Sequence, residues 1–173
     1  MKLSRPSPEE YPDFYKEYVD QVIDKDILKF LEEQKDDIIL FFNQIPDPRM
    51  DYRYSKEKWN IKEIISHIID TERIFAYRAL CIARGDTTSL PGFDQDSYVS
   101  HSNADNLLKG KLVREFETLR ISNLKMFNNF NVMMWNRKGY ANSLPISTRA
   151  IPFIIAGHLQ HHKSVIRGKY LKS

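Results

Sequence analysis

Four stretches of the chain carry apolar side chains at helical spacing, and this feature constrains the fold more than any other. The stretches are residues 26–45, 60–84, 104–128 and 147–171. In each one the apolar residues recur three or four positions apart, so that a helix would have one apolar face. Amphipathic helices of this length bury those faces against one another. The sequence therefore predicts an all-α four-helix bundle, with a short extra helix near residues 12–22.

Local signals mark the ends of these helices. Pro46 ends the first helix, and Asn60, with a glutamate three residues later, forms a variant of the capping box that starts the second. Gly85 follows the second helix as a C′ glycine would. Asn103 and Ser147 are the predicted N-caps of the third and fourth helices.

Length and composition favour one globular domain over residues 1–173. The chain is 42% hydrophobic and 28% charged, and its net charge of +3 is scattered without a basic block, so nucleic acid is not a predicted partner. The single cysteine, Cys81, fits a reducing compartment and is expected to pack as a small hydrophobe. Neither a signal peptide nor a membrane-spanning apolar run occurs, which predicts a cytoplasmic protein without a membrane partner.

Three segments outside the long helices need separate interpretation. Residues 86–102 form a connection long enough to be functional, and they can bring Phe93 and Tyr98 to a pocket mouth; a packed Ω-like loop is the alternative. The aromatic side chains of residues 11–18 are expected to pack across the end of the main body, and lining a pocket is the less favoured alternative. Residues 129–146 are predicted to be irregular.

Two histidines of the fourth helix are the strongest chemical signal. His158 and His162 are four residues apart and project from the same face as Ile154, where a polar ring needs a partner. This spacing places two ring nitrogens on one metal ion. The third ligand has to come from elsewhere, and His67, inside the second helix, is preferred to His101 in its polar segment. Histidines that are merely hydrogen-bonded in the core or at its rim remain the alternative.

A carboxylate also falls among the apolar residues of the second helix. At about 100° per residue, Glu72 lies on the stripe that carries Ile65, Ile68 and Phe75. A buried carboxylate must be paired, hydrogen-bonded or close to a metal ion. We expect a salt bridge between Glu72 and an arginine on another helix.

Six segments together carry a resemblance to a known family. They are residues 5–6, 52–54, 59–73, 83–86, 90–94 and 156–162. These segments resemble the DinB/YfiT-like metalloenzymes, and in particular the DinB_2-like subgroup, and the likeness extends over almost the whole chain.

The resemblance implies both a topology and a site. Members of the family are four-helix bundles with a mirror variant of the up-and-down topology, and they have often been found as homodimers. They hold a divalent metal ion on three histidines, which in this sequence are His67, His158 and His162. Ligands of this kind suit Zn, Ni, Cu or Fe alike, so the metal is not identified. Asp70 and Glu72 are the candidates for orienting the histidine rings.

The resemblance also suggests what such a site does. Some relatives are S-transferases that use bacillithiol, mycothiol or glutathione, and others are metal-dependent hydrolases. Three histidines leave positions of the ion open, as in catalytic sites. The leading hypothesis is a metal-dependent, thiol-dependent S-transferase acting on small electrophilic molecules, with the ion lowering the pKa of a bound thiol. A hydrolase that uses metal-bound hydroxide, and a bundle that binds a ligand or metal without turnover, are the alternatives.

Overall fold

The computed structural model describes residues 3–22 and 26–171. Its helices are α1 (Lys16–Asp20), α2 (Ile27–Gln44), α3 (Ile61–Ala83), α4 (Gln95–Ser100), α5 (Lys109–Asn128), α6 (Val132–Asn136) and α7 (Ala150–Val165). An antiparallel hairpin of β1 (Lys138–Ala141) and β2 (Leu144–Ser147) precedes α7, and a π-helical turn at Ile166–Tyr170 continues it. The described part of the chain contains no helix that is both long and apolar enough to cross a bilayer.

The four long helices form a bundle around two buried apolar clusters, which confirms the predicted fold class. Both α2 and α3 pack against α5 and against α7. The consecutive helices α2 and α3 therefore occupy opposite corners of the bundle, while α3 and α7 are neighbours. One apolar cluster lies where the hairpin and the N-terminal segment meet the bundle, and the other lies near the start of α3.

Three of the predicted helix-end signals have a structural counterpart. The side-chain oxygen of Asn60 accepts a hydrogen bond from the backbone N–H of Glu63 at 2.9 Å, and the Glu63 carboxylate accepts one from the Asn60 backbone at 2.7 Å, which completes a capping box. Gly85 follows α3 with a left-handed φ of 86°. The hydroxyl of Ser147 accepts from the backbone N–H of Ala150 at 3.1 Å, although α7 begins only at Ala150.

The start of the third long helix was predicted wrongly. That helix begins at Lys109, and Asn103, with a left-handed φ of 58°, precedes a separate turn instead of capping the helix. Leu108, an apolar residue of the predicted helix over residues 104–128, is 71% exposed. The cause is tertiary, because the Asp105 carboxylate in this turn accepts a hydrogen bond from the Asn60 side chain at 2.6 Å and so ties the segment to α3.

Residues 129–146 are also more regular than predicted, since they form α6, β1 and most of β2. The hairpin turns at Asn142 and Ser143. Their φ values are 52° and 62°, in the left-handed region that a tight two-residue turn requires. The hairpin lies close against α3, where a side chain at Gly139 would overlap Ile82. Two backbone hydrogen bonds attach Leu90 to the hairpin. The Leu90 N–H donates to the Tyr140 carbonyl at 3.0 Å, and the Asn142 N–H donates to the Leu90 carbonyl at 2.8 Å. The loop after α3 is thereby held in place.

The N-terminal segment lies directly on α7. The predicted helix near residues 12–22 is shorter than expected, with a 3₁₀ turn at Asp13–Tyr15 followed by α1. A Cβ atom at Gly157 of α7 would overlap the backbone of Tyr18, so only glycine permits this close approach. Val19 and Val22 of this segment are fully buried. The aromatic side chains of this segment consequently stay close to the histidine-bearing part of α7.

A buried polar network joins all four bundle helices. Arg120 of α5, which is 1% exposed, donates from Nε and Nη2 to the two carboxylate oxygens of Glu72 in α3 at 2.7 and 2.8 Å. Its Nη1 donates to the Leu31 carbonyl at 3.0 Å and to the Gln34 side-chain oxygen at 3.2 Å, both in α2. Gln34 donates to the Ala156 carbonyl of α7 at 2.9 Å. The predicted salt bridge of Glu72 with an arginine on another helix is confirmed.

Replacing Arg120 tests how far the bundle depends on this network. Arg120→Met leaves the Glu72 carboxylate buried without a counter-charge, so we expect the free energy of unfolding to fall by about 3–5 kcal/mol in urea denaturation. The double variant Glu72→Met, Arg120→Met removes the unpaired charge as well and should recover much of that loss.

The exposed pair between Arg73 and Glu115 provides the matched control, because it joins the same two helices at 2.6 Å but in solvent. Arg73→Met should lower the free energy of unfolding by at most about 1 kcal/mol. Similar losses for Arg73→Met and Arg120→Met would contradict the special role given to the buried network.

Candidate metal centre

The structure brings the three predicted histidines together where α3 and α7 are neighbours. Nε2 of His67 lies 3.0 Å from Nε2 of His158, and Nε2 of His162 lies 3.1 Å from the same atom. One ring nitrogen from each residue falls within 4.8 Å of the others, and among the described residues this is the group whose geometry can hold a metal ion. We call these three residues the histidine cluster.

The spacing of the ring nitrogens suits a shared ion. Metal–nitrogen bonds of about 2.0–2.1 Å at tetrahedral or octahedral angles place two bound nitrogens roughly 2.9–3.4 Å apart. The observed separations of 3.0 and 3.1 Å fall in that range. His67 and His158 are 3% and 7% exposed, while His162 lies closer to the surface. The cluster therefore has an inner side in the bundle and an outer side toward solvent.

Burial keeps all three rings neutral. Removal from water lowers the pKa of His67 to about 4 and that of His162 to about 3, and the charges of neighbouring histidines add to both effects. Burial and the other histidine rings also hold the pKa of His158 well below its usual value. A neutral imidazole keeps a lone pair on one ring nitrogen, which is the form that binds a metal ion.

Aromatic and hydroxyl groups surround the cluster. The ring of Trp59 packs 4.8 Å from that of His67, and the ring of Tyr18 stands edge-on to His158 at 5.4 Å. The Thr71 hydroxyl lies 3.5 Å from Nδ1 of His67, at the outer limit of a hydrogen bond. Trp59 and Thr71 were not among the site residues predicted from the sequence. The four-residue spacing of Thr71 from His67 was the available signal for Thr71, whereas no local pattern indicated Trp59.

The two predicted ring-orienting carboxylates interact elsewhere. Glu72 uses both carboxylate oxygens for Arg120. Asp70 forms an ion pair with Arg73 at 3.5 Å. His101 is exposed, with its Nδ1 2.7 Å from the Ser97 carbonyl in its own helix, and does not join the cluster.

A cavity of about 400 Å³ opens onto the inner side of the cluster, at His67 and His158. Five Phe and Tyr side chains contribute to its wall, and we call it the aromatic cavity. Its aromatic lining consists of Phe14, Tyr15, Tyr18, Phe75 and Phe93.

The aromatic cavity decides two of the sequence interpretations. Side chains of residues 11–18 do line a pocket, so the less favoured alternative is correct for this segment. Phe93 reaches the cavity, as predicted. Tyr98 does not; it packs on Phe93 at 5.3 Å between ring centroids and lines a separate surface groove with Asp70.

A second cavity, of about 390 Å³, reaches the outer side of the cluster at His162. Trp59 and Tyr170 form part of its wall, and we call it the outer cavity. Gln95 lines both cavities, so the two meet near the start of α4. The cluster is consequently accessible from two sides.

Comparison with known proteins agrees with this description. The sequence pattern of the DinB superfamily matches residues 31–166. The fold is similar to that of YfiT from Bacillus subtilis, described as a probable metal-dependent hydrolase with an unusual four-helix bundle topology. The TM-score is 0.71 with 13% sequence identity, and the likeness covers 95% of this chain and 90% of that chain. A search of curated proteins finds no significant match.

At this level of identity the likeness to YfiT establishes the fold alone. The family match is independent of it and includes all three residues of the histidine cluster. Because the family match extends over residues 31–166, which is well over half of the chain, this chain belongs to the DinB superfamily.

Proposed function

We propose that the chain is a metal-dependent enzyme whose divalent ion is held by His67, His158 and His162, and that it acts as a thiol-dependent S-transferase on small electrophilic molecules. The observation that carries the proposal is the convergence of three neutral imidazoles, two of them buried and one half-buried, with ring nitrogens within 4.8 Å of one another and next to a cavity. Zn, Ni and Fe are the candidate ions, since all accept imidazole ligands.

The protein holds the three histidine rings in position, keeps them neutral and limits their exposure to solvent. When bound, a divalent ion would supply a positive charge that favours the deprotonated form of a thiol or water ligand. The low pKa values of His67 and His162 keep the rings available as ligands at neutral pH. Trp59 and Tyr18 pack on the rings and restrict their motion. The aromatic residues of the cavity place apolar surface beside His67 and His158.

The two cavities support a reaction of two substrates. A transferase needs both a thiol and an electrophile, and the histidine cluster is accessible from the aromatic cavity and from the outer cavity. In the proposed step the sulfur forms a bond to the electrophilic carbon, the leaving group departs with the electron pair of its bond, and the thiol proton passes to solvent. A single-substrate hydrolase has less need of two routes to the same centre.

A metal-dependent hydrolase is the second candidate. YfiT, whose fold this chain resembles, is described as a probable member of that class. Ester or amide cleavage needs one organic substrate and water, and either cavity can admit them. A bundle that binds ligand or metal without turnover remains a third hypothesis.

Three further expectations from the sequence stay predictions. They are one domain over residues 1–173, a homodimer and a cytoplasmic location. The dimer follows only from the family resemblance.

Metal loading is the first test. After treatment with EDTA, the protein should bind one Zn²⁺, Ni²⁺ or Fe²⁺ ion per chain, and about a hundredfold excess of the metal over its dissociation constant should raise the free energy of unfolding by about 2.7 kcal/mol. The double variant His158→Ala, His162→Ala should lose both effects in elemental analysis and thermal denaturation. His161→Ala is the control, because His161 lies beside the cluster but outside it. Equal metal content in all three proteins would refute the site.

The pH dependence of stability tests the state of the rings in the metal-free protein. An unfolded histidine has a pKa of about 6.5, whereas the folded values are about 4 for His67 and about 3 for His162. Below about pH 6.5 the unfolded chain binds more protons, so the free energy of unfolding should fall as the pH drops, by up to about 1.4 kcal/mol per pH unit for each histidine.

Urea denaturation with EDTA at about pH 7 and about pH 5 measures this effect above the range in which most carboxylates titrate. The double variant His67→Gln, His162→Gln should show a flatter dependence. His101→Gln, which removes an exposed histidine, should behave as the original protein does. A double variant with an unchanged pH dependence would contradict the lowered pKa values.

The activity test separates the two enzyme classes. Metal-loaded protein is mixed with chlorodinitrobenzene and with bacillithiol, mycothiol or glutathione, and product is followed by absorbance. Metal-dependent turnover that His158→Ala abolishes is the expected result. Release of p-nitrophenol from p-nitrophenyl acetate without thiol, and no turnover with any thiol, would favour the hydrolase and remove the transferase.

A further inference from the structure

Arg78 of α3 is a buried cation without a carboxylate partner. Its side chain is 3% exposed, and no acidic group within residues 3–22 and 26–171 forms an ion pair with it. Its Nη2 donates to the Pro91 carbonyl at 2.8 Å, and its guanidinium lies 5.1 Å from the centre of the Phe75 ring. Its Nε is buried and has no hydrogen-bond partner among the described residues. A buried charge in this condition is costly unless a ligand pairs with it.

The other deeply buried arginine shows what pairing looks like in this protein. Arg120 donates to both oxygens of Glu72 and to two further oxygens in α2. Arg78 donates to one backbone carbonyl and interacts with the Tyr15 hydroxyl, although a guanidinium has five N–H donors. Neither a carbonyl nor a hydroxyl group supplies the negative charge that a buried guanidinium needs. The positive charge of Arg78 and its unpartnered Nε are therefore unexplained by the fold.

Arg78 belongs to the wall of the aromatic cavity, which also includes His67. His67, Thr71, Phe75 and Arg78 follow one another at helical spacing along the same face of α3, and all four line the cavity. The Cα atoms of His67 and Arg78 are roughly 16 Å apart at the rise of an α-helix. Helical side chains lean toward the N-terminus of their helix, so the Arg78 guanidinium is directed toward the His67 end.

The polar surroundings do not neutralise Arg78. Tyr15 is the ionisable group of the cavity wall that interacts with it, and burial raises the pKa of Tyr15 above its usual value despite the nearby guanidinium. The Tyr15 hydroxyl therefore stays protonated at neutral pH. The positive charge in the cavity remains available to a ligand.

We propose that Arg78 binds an anionic group, most simply a carboxylate, of the organic substrate. The apolar body of that substrate lies between the rings of Phe75 and Phe93, and its other end extends to the histidine cluster. The assignment of the reacting end rests on the proposed function, whereas the anion site rests on Arg78 itself. The substrate class is thus an elongated molecule with an aromatic or alkyl body and a single acidic end.

Binding to the metal-free protein tests the anion site without direct ligation of a metal. Phenylbutyrate and its uncharged analogue phenylbutyramide are titrated calorimetrically at low salt. A charge-assisted pair should favour the carboxylate over the amide by roughly tenfold to a hundredfold. Arg78→Met keeps the bulk of the side chain and should abolish the preference. Arg78→Lys keeps the positive charge but lacks the planar guanidinium group, so it should retain part of the preference for the carboxylate.

Arg84→Met is the matched control, because it removes an exposed arginine that follows the same helix and does not line the cavity. Its preference should equal that of the original protein. Equal affinity of the original protein for the two ligands, or a preference that survives Arg78→Met, overturns the proposal. If Arg78→Met fails to fold, as judged by circular dichroism, the ligand pair with the original protein and Arg78→Lys still decides the question.

Two further arms separate the possible sources of failure. N-acetylcysteine is a polar thiol that carries a carboxylate. If it binds in an Arg78-dependent manner while phenylbutyrate does not bind, the ligand of Arg78 is the thiol co-substrate, and the proposal of an apolar substrate is overturned. The His158→Ala, His162→Ala variant should keep the carboxylate preference while losing metal. A protein that binds metal but shows no carboxylate preference refutes the anion site alone, and the reverse result refutes the metal-dependent function alone.

Discussion

The buried pairing of Glu72 with Arg120 is the interaction on which the rest of the structure depends. It draws one side chain from α3 and one from α5 into the core, and its remaining hydrogen bonds extend through Gln34 of α2 to the backbone of α7 at Ala156. Separating a buried charge from its partner costs about 3–5 kcal/mol, which adds to the cost of disturbing the apolar packing. Glu72 lies five residues after His67, and Ala156 two residues before His158. The network therefore sets the relative position of the two helices that carry the histidines.

The histidine cluster depends on a second condition, which is the burial of two of its rings. His67 and His158 are nearly inaccessible, and their rings touch Trp59 and Tyr18. The same burial that lowers their pKa values makes them neutral ligands at the pH of a cell. The N-terminal segment contributes to this environment because Gly157 allows Tyr18 to approach the backbone of α7. A segment outside the four long helices is thus part of the candidate centre.

The two buried arginines illustrate how a fold and a binding site use the same chemical group differently. Arg120 has its carboxylate supplied by the chain, and its role is accounted for by the bundle. Arg78 lines a cavity that contains aromatic rings, and among the described residues it has the Pro91 carbonyl and the Tyr15 hydroxyl but no carboxylate as a partner. The hairpin of β1 and β2 holds the loop that provides this carbonyl, through the hydrogen bonds of Leu90. The loop after α3 therefore shapes the cavity as well as connecting two helices.

Periodicity and capping signals in the sequence were sufficient to predict the four long helices and the capping box at Asn60, because both follow from local spacing. The pairing of Glu72 with an arginine could be predicted because an unpaired buried charge is costly. The His158 and His162 pair follows from one turn of helix. The start of α5 was mispredicted because a hydrogen bond between distant segments, from Asn60 to Asp105, outweighs local preference there. The hairpin was missed because its strands are only four residues long, and it is held in place by hydrogen bonds with Leu90 that the local sequence does not reveal. Only the tertiary structure determines that α3 and α7 are neighbours although they are distant in the chain, since helix packing depends on the complementarity of whole faces. For the same reason it alone brings His67 to the pair, directs Glu72 to Arg120 and leaves Arg78 facing a cavity.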